Sequence, residues 1–198
     1  NTLTLYRIIK RYMKYNKELL INKNDTLTKD DFIFFWGHHK GKNGVSKSCF
    51  SQWYPCLFTV DGQEYNCAEQ YMMAQKAKVF GDEEVRNQIL AETDQMTIKK
   101  LGRLVKNYDD SVWTERRFQI VVEGNLAKFS QNDDLRQFLL GTGDKIIVEA
   151  SPKDRIWGIG FDEFAPEATN PALWNGENLL GFALMEVRDR LREISTQG

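Results

Sequence analysis

The stretch Asn66–Phe80 limits this chain more than any other, because it reads as one uninterrupted helix. Its Ala, Gln, Met and Lys residues favour helix, and neither Gly nor Pro occurs before Gly81. Asn66 is positioned as an N-cap, and Glu69 three residues on completes a capping-box pattern. Positions i, i+3, i+4 and i+7 share a helix face, which from Glu69 gives Met72, Met73 and Lys76. An acid and an amine about 10.5 Å apart by helical rise thus flank two thioethers. Solvent does not favour two Met, and a core does not favour Glu with Lys, so this stripe predicts a pocket wall. The competing reading makes Glu69 a cap of its own helix and Lys76 a lysine that snorkels to water.

The rest of the chain must supply what surrounds that wall. With 198 residues, 41% hydrophobic and 28% charged, it is long enough for one domain with a real core. A net charge of −1 removes any global field that would demand nucleic acid or membrane. No apolar run is long enough to span a bilayer. Cys49, Cys56 and Cys67 are an odd set without C-x-x-C spacing, which predicts reduced thiols, an intracellular protein (cytoplasmic or nuclear) and no zinc site. The adjacent His38 and His39 would point apart in extended chain and so would not chelate one metal.

Residues 3–20 place Leu5, Ile8, Ile9, Tyr12, Tyr15 and Leu19 at helical spacing among Lys and Arg. Seven basic against three acidic residues leave positions 1–30 at +4 and the remainder at −5. This basic amphipathic arm either packs on the domain or touches a nucleic acid or partner. A polar linker, Asn22–Asp31, follows. Phe32–Trp36 predicts a buried strand that empties into the Gly- and Lys-bearing loop Gly37–Gly44, which carries no nucleotide-binding fingerprint. Asp61-Gly62 between Leu57–Val60 and Gln63–Tyr65 predicts a type I′ hairpin delivering the chain to the Asn66 helix.

Helices are expected over 82–90, 96–105, 111–129 and, capped by Asn132, through Leu140. Lys145–Glu149 is the next strand, and a last helix carries Leu180, Leu184, Val187, Leu191 and Ile194. Few strands among many helices, without regular alternation, predict an α+β domain: mostly helical, single, around a small sheet.

Several motifs in this order are specific. Glu69-Gln-Tyr-Met-Met-Ala-Gln-Lys76-Ala leads, followed by Leu101-Gly102-Arg103, Trp113 with Arg116-Arg117, and Lys128-Phe129. Glu149-Ala-Ser-Pro-x-Asp154-x-x-Trp157-Gly-x-Gly and Trp174-x-Gly176-x-Asn178-x-x-Gly181 complete the string. It resembles the NADAR (YbiA-like) family over roughly Phe32 to Leu191, with positions 1–30 outside as an arm and 31–198 as the domain. The chain departs from the family pattern in having Ser51-Gln52-Trp53 for Ser-Asn-Phe, and Glu69-Gln70 for Glu-His.

The resemblance implies an N-glycosidase, a hydrolase that cleaves a ribose C1′–N bond and needs no cofactor or metal. The expected substrate is ADP-ribose on a guanine base, borne by a nucleoside or nucleic acid. The alternatives are a phosphorylated ribosylamino-pyrimidine of riboflavin synthesis, or an ADP-ribose binding module without turnover. Glu69, Trp113, Asp154 and Trp157 match positions considered important in the family, and Lys76 matches its Gln-Lys motif.

Residue chemistry points the same way. A carboxylate such as Glu69 or Asp154 can stabilise positive charge growing on the sugar, and a carboxyl of raised pKa can protonate the leaving nitrogen. A desolvated Lys76 could instead attack C1′ as a neutral amine and form an imine with the opened sugar. Glu69, Lys76 and Asp154 are therefore the expected catalytic groups. Trp36, Ser51, Arg103, Trp113, Trp157 and Asn178 are the expected substrate contacts, with Arg103 suited to phosphate and tryptophans to a base. Trp113 and Trp157 could equally be core aromatics, and Asn178 an N-cap of the last helix.

Overall fold

The computed structural model of the protein describes residues 13–197. Its helices are α1 (Lys17–Ile21), α2 (Ala68–Val79), α3 (Glu83–Ala91), α4 (Gln95–Gly102), α5 (Asp110–Gln131), α6 (Asp133–Gly141) and α7 (Leu179–Thr196). The strands are β1 (Phe32–Phe35), β2 (Phe58–Val60), β3 (Gln63–Tyr65) and β4 (Ile146–Glu149). The mostly helical α+β single domain expected from the sequence is what forms. Its strands make two separate pairs, parallel β1–β4 and the antiparallel hairpin β2–β3.

Asp61 and Gly62 take φ of 50° and 79°, the two left-handed residues that a type I′ turn requires. β1 and β4 pair in register from Phe32 with Ile146 to Phe35 with Glu149. Phe32, Phe34, Phe35, Ile146, Ile147 and Val148 are all buried, which explains apolar runs where a one-sided sheet would alternate. The amphipathic α7 lies across β4 with Leu180, Ala183, Leu184 and Val187 buried. Gly181 makes that approach possible, since a Cβ there would stand 2.0 Å from the carbonyl oxygen of Ile147.

α2 is the hub, packed against α3, α4 and α5. Eight of its residues are buried, and they are spread around the helix rather than along one stripe. α4 meets it through Gly102, whose Cβ would fall 2.0 Å from Met73 Sδ.

The expected capping box does not form. Cys67 takes the N-cap position, and the residue three on is Gln70, whose Oε1 accepts the backbone N–H of Asn66 at 2.8 Å. Gln70 Nε2 also donates to the carbonyls of Ile89 and Glu92 at 3.0 Å, tying α2 to the end of α3. The side chain of Glu69 is therefore free of capping duty.

Two other expectations change. Asn132 stands at the N-cap of α6 but its Nδ2 donates to the carbonyls of Lys128 and Leu57, so it closes α5 instead. Of the arm, residues 1–12 lie outside the described residues. The remainder of the arm contributes a single short α-helix, α1, with Leu20 buried and the expected stripe residue Leu19 exposed. Tyr15 Oη and Lys14 Nζ donate to Asp189 Oδ2, and Lys17 Nζ donates to the carbonyl of Trp174, seating this segment against α7 and the loop before it.

Candidate active site

A cleft of about 1030 Å³ opens where the C-terminal ends of β1 and β4 meet α2, α4 and the start of α5. Carboxyl ends of parallel strands are a recurrent place for ligands, because the chain turns away there and leaves a crevice. Glu69, Met72, Met73 and Lys76 all face it, so the stripe of α2 is a wall of this cleft.

Glu69 is 7% exposed. Burial pushes its carboxyl from an ordinary 4.5 up to about 7; Asp154 adds to the rise, while Lys99, Lys76 and Arg103 oppose it. Desolvation therefore outweighs three neighbouring cations. Its backbone N–H donates to the carbonyl of Gln52 at 2.9 Å, which joins α2 to the Ser51–Trp53 segment. That segment is held from below by the fully buried Lys128, whose Nζ donates to the carbonyls of Cys49 and Ser51 at 2.6 and 3.0 Å.

Lys76 is half-buried, its Nζ 4.7 Å from the ring centre of Tyr108 and 5.7 Å from that of Trp113. Burial lowers its pKa, Arg103 lowers it further, and Glu69 pulls it back up. An amine with a depressed pKa is a nucleophile as well as a cation.

Asp154 lies half-buried in the loop after β4, where its Oδ1 accepts the N–H groups of Ile156 and Trp157 at 2.9 and 2.8 Å. One oxygen thus fixes the turn that presents Trp157. Trp36, Ser51, Arg103, Trp113 and Trp157 all line the cleft as well. Trp36, expected inside a buried strand, is 64% exposed, because β1 ends at Phe35 and the chain turns out at Gly37 with φ 82°.

Asn178 is the exception. It is fully buried, is not part of the cleft, and has φ 52° without a side-chain cap bond. Its Oδ1 accepts the N–H of Glu149 and its Nδ2 donates to Ile147, both at 3.0 Å. Asn178 therefore holds the expected N-cap position of α7, but its side chain stitches that helix to β4 instead of capping it or meeting the cleft.

Several cleft residues were not among the expected site residues: Glu149, Lys99, Trp53 and the two histidines. The rings of His38 and His39 lie 4.5 Å apart, with His38 against Trp53. The two rings are neighbours, where the expectation from extended chain had them pointing apart. Among the described residues, no three His, Cys, Asp or Glu side chains come together as a metal site, and the three thiols are free.

The NADAR domain profile matches residues 34–192. N-glycosidase R617 of Acanthamoeba polyphaga mimivirus is 48% identical over 167 residues, covering 81% of this chain and 96% of that protein. A riboflavin biosynthesis protein of Vibrio vulnificus is 33% identical over 143 residues, 72% of this chain but 35% of its own length. The NMR structure of E. coli YbiA has a TM-score of 0.68 at 27% identity, over 87% of this chain and 91% of YbiA. A profile match spanning most of the chain, with a relative matched over nearly its whole length, leaves a plain conclusion: the chain belongs to the NADAR domain family.

Proposed function

We propose that this cleft hydrolyses the bond between C1′ of ADP-ribose and a guanine nitrogen. The coarser activity, N-glycoside hydrolysis, is the one named for its relatives, and the enzyme class follows from that kinship. The finer reading rests above all on one observation, the size and charge of the cleft. About 1030 Å³ is more than a single phosphorylated pyrimidine nucleoside requires. Lys99 of α4, Arg103 just after that helix, and Lys153 and Arg155 of the loop after β4 all line it, which suits a diphosphate. Trp36, Trp53 and Trp157 offer faces for two bases.

In this reading the N-glycosidic electron pair leaves with the guanine nitrogen, which takes up a proton. Glu69 as an anion stabilises the charge that develops on the sugar. Lys76, as neutral amine, attacks C1′; the C1′–O4′ bond of the glycosylamine then opens, its nitrogen proton passing to O4′, and water hydrolyses the resulting imine to ADP-ribose and free Lys76. Lys76 therefore deals with the sugar and Arg103 with the phosphates.

Incubation with ADP-ribosylated guanosine and, separately, with a phosphorylated ribosylamino-pyrimidine tests it, with products resolved by mass. The expected result is free ADP-ribose plus guanosine from the first and no turnover of the second. Turnover of the pyrimidine alone, the alternative suggested by the Vibrio relative, would overturn the substrate assignment. Binding of ADP-ribose with turnover of neither would make the domain a reader.

A further inference from the structure

Glu149 is the last residue of β4, and its position is fixed from three sides. Its N–H donates to Asn178 Oδ1 at 3.0 Å, and its carbonyl accepts the N–H of Ile159 at 3.0 Å. Gly158 packs so closely on that carbonyl that a Cβ there would stand 2.9 Å from it. A backbone held this tightly leaves the side chain little choice of direction, and the residue lines the cleft. Although part of the residue touches the cleft, Oε2 is out of contact with solvent and has no hydrogen-bond partner. An ionised carboxylate oxygen without a single donor is costly in such a place, whereas a protonated one can wait for an acceptor.

The groups facing Glu149 deepen the asymmetry. Asp154 from the following loop and Glu69 from α2 are both acids, and Lys99 of α4 is the cation that acts on it. His38 and His39, beyond the paired strand β1, line the same cleft. Burial, then Asp154 and Glu69, push the Glu149 carboxyl up to about 8 against the pull of Lys99. Glu69, by contrast, is acted on by three cations. Two acids that share a cleft but not an environment divide the labour of acid and base.

We propose that Glu149 is a further catalytic residue: a protonated carboxyl that donates its hydrogen to the departing nitrogen base. This deepens the N-glycosidase reading above and rests on it. As C1′–N breaks, its electron pair and the Glu149 proton both go to the base nitrogen, so the base departs neutral. The oxygen of water ends on C1′, its proton passes to the carboxylate side of the cleft, and Glu149 regains a proton from solvent. One water is consumed for each bond broken.

The test compares wild type with Glu149→Gln on two leaving groups, guanosine and 4-nitrophenol, each carried on C1′ of ADP-ribose. Nitrophenolate leaves without a proton, so a lost acid should matter for guanosine alone. The expected loss is about 10²–10⁴-fold on the guanosine conjugate and under about 10-fold on the nitrophenyl conjugate. Equal losses on both, in folded protein, would make Glu149 a packing residue and overturn the proposal. A second measurement needs neither variant nor substrate. Carboxyl ¹³C NMR of the wild type, assigned by through-bond correlation to the Glu149 amide, should show its proton retained until close to pH 8. Ionisation below about pH 5 would sink the proposal whatever the substrate. Should the wild type cleave neither conjugate, the substrate reading fails, and the titration alone decides for or against a protonated Glu149.

Discussion

Lys76 and Glu69 sit two turns apart on one helix and ionise against each other. Each opposes the shift that burial imposes on its neighbour, so neither titrates alone. A neutral Lys76 amine makes a covalent demand: borohydride added during turnover should trap ADP-ribose on the protein, and peptide mass should place it on Lys76. Lys76→Arg keeps the positive charge but cannot form the adduct, and should lose activity by at least about 10³-fold, given what a nucleophile contributes. An active Lys76→Arg with no adduct would reduce Lys76 to a phosphate or hydroxyl ligand. Arg103, not the exposed Lys78, is the cation that acts on this amine.

At the scale of elements, helices and strands were legible because their hydrophobic spacing and breakers agree with the tertiary contacts they make. The Asp61-Gly62 hairpin and the pocket-facing stripe of α2 are examples. Caps were less legible. Asn66, Asn132 and Asn178 are all chemically able to cap, yet each spends its side-chain amide on a distant carbonyl: Glu92, Leu57 and Ile147. Only the folded chain decides which acceptor is within reach. Glu149 was overlooked for a related reason, since a β-branched run predicts burial and hides the last side chain where the strand ends at a crevice. Asn178→Ala tests the stitch between α7 and β4. It leaves two buried backbone groups of β4 unpaired, at about 1–3 kcal/mol each, in a left-handed residue that Ala tolerates poorly. Denaturant unfolding should show a loss of roughly 2–5 kcal/mol, while a loss under about 0.5 kcal/mol would mean the stitch contributes little.

For the molecule as a whole, a cleft that buries two carboxyls is a stability cost. Glu69 and Glu149 both have folded pKa values above their ordinary 4.5, at about 7 and about 8. Between pH 4.5 and 8 the folded protein therefore holds protons that the unfolded chain has released. Their contribution is fully present below about pH 4.5 and is lost as pH rises to 8. Glu149→Gln cannot ionise, so it should match wild type below about pH 4.5 and be more stable, with a higher Tm, at pH 8, by a few kcal/mol at most. A Tm difference that does not change with pH would contradict the raised value. A bell-shaped kcat/KM follows, its rising limb belonging to the coupled Glu69–Lys76 pair and its falling limb, near pH 8, to Glu149 losing its proton.

All of this turns on the stripe of α2 being the chemical wall of the cleft. Glu69→Gln is the direct probe, since Gln keeps the size of the side chain and Glu69 caps nothing in the fold. Single-turnover cleavage of ADP-ribosylated guanosine by this variant, with folding verified by thermal unfolding, should be slower than wild type by about 10²–10⁴-fold. A folded Glu69→Gln that cleaves at the wild-type rate would contradict the assignment and leave the stripe a wall without chemistry.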